Sequence, residues 1–97
     1  MMQNPIRIEF EESRLAAIAF DGASEIGKCE FVIVSKNLWE ITHTRVHEDY
    51  GGQGIAKRLV LCLVEQARNS GAKILPTCSY AKRVLEGEDF QDVRYQG

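Results

Sequence analysis

The chain changes its hydrophobic period once, and a glycine cluster marks the change. Ahead of Gly51-Gly52-Gln53-Gly54 apolar residues alternate with polar ones; behind it they recur every three or four positions. Side chains alternate across a strand and wind around a helix, so the two periods predict strands first and a helix second. Ile6, Ile8 and Phe10 alternate with Arg7 and Glu9. Further apolar runs cover residues 15–20, 28–34 and 38–46. Glu11-Glu12-Ser13, Asp21-Gly22 and Ser35-Lys36-Asn37 break them. Four strands joined by short turns predict an antiparallel meander. Strict alternation in the fourth puts Trp39, Ile41, His43 and Arg45 on one face and Leu38, Thr42, Thr44 and Val46 on the other.

Ala56, Leu59, Val60, Leu63, Val64 and Ala67 then predict an amphipathic helix, with Gly71 just past its end. Lys73-Ile74-Leu75 reads as a short strand ended by Pro76. A right-handed crossover lets it lie parallel to the fourth strand. Ser79 is expected to cap a last helix over residues 80–85. The tail, residues 87–97, gives no pattern. The fold class is α/β: an antiparallel strand meander, a helix, a parallel-type strand and a short C-terminal helix, in a single domain over residues 1–97.

The 97 residues carry 44% hydrophobic and 27% charged side chains and a net charge of -2. That balance is soluble and globular, and it lacks the basic surplus of a nucleic-acid binder. No apolar run approaches membrane-spanning length, and the start has no signal-peptide pattern. A cytoplasmic setting is expected, with neither nucleic acid nor membrane as partner. Cys29, Cys62 and Cys78 are odd in number and widely spaced, so they read as reduced thiols rather than a disulfide framework. His43 and His47 lie four apart but find no third ligand in the sequence, and no metal is expected.

The glycine turn joins a strand to a helix. Glycines open backbone angles closed to other residues and let a ligand approach the main chain. The helix start adds unpaired N–H groups and a positive dipole end. Together they form an anion site. Lys57 and Arg58, in the first turn, oppose the dipole and are easier to explain beside a phosphate. On spacing alone a tight turn needing glycine for geometry remains an equal reading. Neither the Rossmann nor the Walker pattern is present.

Gly51-Gly52-Gln53-Gly54-Ile55-Ala56 resembles the acetyl-CoA signature R/Q-x-x-G-x-G/A of the GCN5-related N-acetyltransferases (GNAT). Gly54 and Ala56 match its last two defined positions, and Gly51 stands where Arg or Gln is usual. His43-Thr44, Val46 and Pro76-Thr77-Cys78-Ser79-Tyr80 extend the likeness over residues 40–86. They resemble the very short YjdJ-type subfamily, which includes N-acetyltransferase domain-containing protein 1. The first forty residues match in strand pattern only. Full-length relatives carry two helices between their first strands, in the region that usually shapes the acceptor site, and this chain has no room for them.

The resemblance implies a minimal GNAT fold and an enzyme that moves an acetyl group from acetyl-CoA to an amine. The pyrophosphate would lie on the backbone amides of Gly52, Gly54, Ile55 and Ala56, with Gly51, Gln53 and Lys57 lining the same site. Thr44 and Val46 would pair with the pantetheine arm, opposite Leu75 and Pro76 if the strands splay.

An amine is protonated near pH 7, so it needs a base before it attacks, and the departing thiolate needs a proton. His43 is the candidate base; the alternative is a satisfied histidine on a sheet face. Cys78 and Tyr80 are candidates on the sulfur side. A phenol near pKa 10 gives its proton to a thiolate near 8.5 at a cost of about 2 kcal/mol. Cys78 is matched to the leaving thiol as an acid, or it acts as a nucleophile, or it is a small buried thiol. The alternative to an enzyme is a non-catalytic acyl-CoA-binding or partner-interaction module, and a plain interaction domain is a third reading. The chain is expected to act as a monomer or weak homodimer.

Overall fold

In the computed structural model, which describes residues 5–96, five strands form one sheet in sequence order. They are β1 (Arg7–Glu11), β2 (Ala16–Asp21), β3 (Ser24–Ser35), β4 (Leu38–Val46) and β5 (Lys73–Pro76). The first four pair antiparallel, and β5 lies parallel to β4. The crossover between them is α1 (Ile55–Ser70), and α2 (Ser79–Val84) follows β5. This is the expected α/β, GNAT-like arrangement. Among the described residues no helix is long and apolar enough to cross a membrane.

α1 lies across one face of the sheet and touches all five strands. Its Leu59, Val60, Leu63, Val64 and Ala67 are at most 1% exposed and pack against Ala17, Ala19, Cys29, Phe31, Ile41 and Ile74. The small alanines of β2 let the helix sit close to the sheet centre. α1 stops at Gly71, whose φ of 73° suits glycine. There the N–H groups of Gly71 and Ala72 bond the carbonyls of Arg68 and Ala67 at 3.2 and 2.8 Å.

Bulges change the strand faces. Glu30 pairs with His43 while Phe31 pairs with Ile41, so Thr42 is an extra residue in β4. One extra residue reverses side-chain parity from there on. Trp39 and Ile41 are buried on the α1 side; past Thr42 it is Thr44 and Val46 that turn inward, half-buried, while His43 and Arg45 are exposed. The expected common face of Trp39, Ile41, His43 and Arg45 is therefore corrected.

Three further readings change. Cys78, not Ser79, is the N-cap residue of α2. Arg58 donates to the Ile6 carbonyl at 2.9 Å, which explains it without a phosphate. The tail, which showed no pattern, belongs to the core. Ile74 N–H bonds the Val93 carbonyl at 2.7 Å and Tyr95 N–H bonds the Ile74 carbonyl at 2.8 Å, giving β5 a parallel neighbour on its far side. Val93 is 1% exposed. Arg68 forks onto Asp92 at 2.8 and 2.9 Å, which ties the tail to α1.

Val93→Ala should lower the urea midpoint, costing about 1–3 kcal/mol through lost burial and a residual cavity. Glu88→Ala, at an exposed site two turns of chain away, should leave it unchanged. An unchanged midpoint in Val93→Ala would show that the tail does not support the core.

Candidate functional site

The site begins where β4 ends. His47 N–H bonds the Ile26 carbonyl at 2.7 Å and holds the strand end to β3. A single 3-10 turn, Glu48–Tyr50, then leads into the glycines. His47 Nδ1 accepts from Asp49 N–H at 3.2 Å. The Tyr50 hydroxyl donates to the Asp21 carboxylate, which pins the turn to the β2–β3 hairpin and raises the phenol's pKa.

Gly52 and Gly54 have φ of 76° and 75°, and a Cβ built on either would meet no atom within 4 Å. Glycine is therefore needed here for backbone angle, and the space above it is open. The first helical hydrogen bond runs from Arg58 N–H to the Gly54 carbonyl. The amides from Gly52 to Lys57 precede that bond. Gly51 differs, because its N–H is committed to the Glu48 carbonyl at 3.1 Å. The turn borders a concavity of about 270 Å³ that Val46, Tyr50 and Tyr80 also line. An anionic group fits this open amide-lined space. Gln53 is exposed on the same turn, and Lys57 is exposed on the first helical turn.

The second element is an opening in the sheet. β4 and β5 stay paired only as far as Ile41 and Pro76. The Ile41 carbonyl takes the N–H groups of both Thr77 and Cys78 at 3.1 Å, and the Thr77 hydroxyl donates to Glu40 at 2.8 Å. The chain then turns into α2, so residues 42–46 have no strand beside them on that edge. In an antiparallel pair, successive residues point their N–H and C=O to alternate edges. His47 N–H faces β3, so the backbones of Val46 and Thr44 face the opening. A ligand with its own amides could pair there as an added strand.

The third element is a pair of thiols. Thr44 Oγ1 lies 3.4 Å from Cys29 Sγ and accepts from the Cys78 thiol at 3.6 Å. Burial pushes the Cys29 thiol up to about 12, so it stays protonated. Burial also pushes Cys78 up, but the Ala81 N–H, the Thr44 hydroxyl and the N–H groups of Tyr80 and Thr44 outweigh it, and its pKa falls below the ordinary thiol value. Burial raises Cys62, which lies on α1 beside Arg58 and Leu61.

The candidate residues thus divide. Thr44, Val46, Cys78 and Tyr80 gather on the α1 side of the opening with the glycine turn. His43 is exposed on the opposite sheet face, where the bulge at Thr42 turns it. Among the described residues no three His, Cys, Asp or Glu side chains converge as a metal set. Sequence reasoning missed Cys29 and Tyr50. Cys29 meets Thr44 only through strand register. Tyr50 stood beside the glycines in sequence, but its partner Asp21 is 29 positions away.

Residues 16–93 match the family model for the GCN5-related N-acetyltransferases. The chain belongs to that family. The mouse and human proteins called NATD1 are each 26% identical over 83 residues; the match covers 84% of this chain and 76% and 74% of theirs. The solution structure of a GCN5-like protein from Staphylococcus aureus is 34% identical, with a TM-score of 0.71, and covers 98% of this chain and 91% of its own. More distant in sequence, the Escherichia coli GNAT protein YhbS, solved in complex with CoA, is 17% identical with a TM-score of 0.64 over 87% of this chain and 68% of its own, a likeness of fold. GNAT proteins use acetyl-CoA for acetyl transfer.

Brief iodoacetamide treatment near neutral pH should label Cys78 first and Cys29 only after unfolding. Its alkylation midpoint should lie below that of a free thiol, since the thiolate is the reacting form. Peptide mass spectrometry reads this directly. Equal labelling of Cys78 and Cys62 across pH would contradict the lowered Cys78 pKa.

Proposed function

We propose that this chain is an N-acetyltransferase that takes the acetyl group of acetyl-CoA and delivers it to an amine. The observation that carries the reading is continuity: an open amide turn, an unpaired strand edge and a thiol follow one another along β4 and into α2. The amides of Gly52, Gln53, Gly54, Ile55 and Ala56 hold the pyrophosphate. Gly51 contributes space rather than an amide, and Lys57 adds positive charge at the rim. The Thr44 and Val46 backbones receive the amide-bearing pantetheine arm. Acetyl-CoA supplies an activated acetyl thioester at the end of that arm.

Cys78 then acts on the sulfur side. A thiol held below the ordinary value gives its proton to a thiolate of ordinary basicity downhill, whereas an ordinary phenol would do so uphill. Tyr80, which lines the turn concavity, serves better as a hydrogen-bond donor and wall. His43 receives the amine proton at the other mouth of the opening. The balance is simple: an N–C bond forms, the C–S bond breaks, the coenzyme sulfur takes the Cys78 proton, and solvent returns one to Cys78. The three free thiols suit a reducing compartment, and we assign the reaction to the cytoplasm on that ground.

One observation favours a second reading. β1 and β2 are joined by a three-residue 3-10 turn, Glu12–Arg14, so among the described residues no helix between these strands covers the exposed side of His43. A module that binds acyl-CoA without turning it over needs no such cover.

Calorimetric titration with acetyl-CoA tests the common part of both readings. Saturable binding is expected, and Gln53→Glu should weaken it about tenfold by setting a carboxylate at the anion site without altering the glycine angles. No binding by the folded protein would refute both. Turnover separates them: Cys78→Ala should lower kcat about a hundredfold with little change in acetyl-CoA affinity. It should also remove the fall in rate as pH rises through the Cys78 pKa, because only the protonated thiol is an acid. Unchanged turnover would take Cys78 out of the mechanism, and a stable acetyl group on its sulfur would make it a nucleophile instead.

A further inference from the structure

Cys29 has no part in the reaction as described, yet it is fully buried and its sulfur is 3.4 Å from the same hydroxyl that meets Cys78. A threonine hydroxyl has one proton and two acceptor sites. Cys29 sits among Ala17, Ile26, Phe31 and the apolar face of α1, and among the described residues Thr44 Oγ1 is its side-chain hydrogen-bond partner. Either atom can donate in this contact; with its proton turned to Thr44 Oγ1, the buried thiol fills one of the two acceptor sites. While Cys78 is protonated, it donates to the second acceptor site at 3.6 Å. Once Cys78 loses its proton, its sulfur can only accept, and the Thr44 hydroxyl can turn its own proton there. The three groups then run head to tail: Cys29 to Thr44 to Cys78.

We propose that Thr44, held by Cys29, is a positioning residue that stabilises the Cys78 thiolate and orients its sulfur at the opening between β4 and β5. The role rests on the side chain of Thr44; its backbone N–H also faces the Cys78 sulfur and is kept in every side-chain variant. It also gives the buried cysteine a function: a methyl group at position 29 would leave the Thr44 hydroxyl free to settle in another orientation. The inference builds on the reading of Cys78 as a proton-transfer group, but its central claim concerns the thiol and can be read with no acetyl-CoA present. The other titratable groups around the cluster are Cys62 on α1, Glu30 on β3 and Tyr80 on α2. Each stays in place in the variants below.

The test is the pH dependence of Cys78 alkylation by iodoacetamide, resolved by peptide mass spectrometry, in the full chain and in Thr44→Val, Thr44→Ser and Cys29→Ala. A hydrogen bond to an ionised group supports a shift of about one pH unit. Thr44→Val should raise the Cys78 midpoint by about that much, Thr44→Ser should restore it, and Cys29→Ala should raise it by a smaller amount. Midpoints identical to the parent in Thr44→Val would overturn the proposal. If Thr44→Val does not fold, Cys29→Ala decides: no shift there overturns it equally. Loss of acetyl-CoA binding in the calorimetric experiment, with these shifts still present, would refute the proposed function and leave the thiol arrangement standing.

Discussion

The Ile41 carbonyl takes the amide of Thr77 as the last bond of the β4–β5 ladder and the amide of Cys78 as well, so the chain turns away from β4 at that point. The rest of the site depends on that break in the ladder. Had β5 continued in register, residues 42–46 would have been sealed by a parallel partner and the sheet would have had no opening. Because it turns away, the edge of β4 is left with unpaired polar groups, and the same turn carries Cys78 to within hydrogen-bonding reach of Thr44. The glycine turn continues that edge into a helix start. Three features that could each be accidental in isolation are therefore parts of one strand and its neighbour.

The fold was largely legible. Period-two runs located four strands, and one 3.6-period run located α1 with its glycine stop. These patterns were readable because burial on one side imposes them. The tail was not legible, because Val93 enters the core as a single apolar residue between charged ones and a lone residue has no period. The faces of β4 were misread for a related reason. Thr42 looks like any strand residue, and a bulge is decided by the partner strand, which periodicity within one strand does not report.

The site was legible in its backbone part and incomplete in its side chains. Glycines at positive φ leave a direct trace in sequence, since few other residues tolerate that conformation. Hydrogen bonds between distant residues leave none. The bond from Tyr50 to Asp21 and the meeting of Cys29 with Thr44 exist only once the hairpins have closed. Arg58 shows the converse error. A cation at a helix start suggested an anion, yet the backbone carbonyl of Ile6, just ahead of β1, is its partner.

The bulge at Thr42 gives β4 slack at one position and nowhere else between there and the glycine turn. Phe31 meets Ile41 and Glu30 meets His43 across it, so a chain lacking Thr42 would pair flush with β3 and keep the same two faces, His43 outward beside Glu30 and Thr44 inward beside Cys29. Such a deletion would alter the bend of the strand rather than the chemistry of its faces. Loss of Arg45 has no bulge to absorb it: Val46 would take its place opposite Lys28 and turn outward, away from the opening. The count of residues from Thr44 to Gly51 is thus itself a constraint on the sequence, independent of which residues they are.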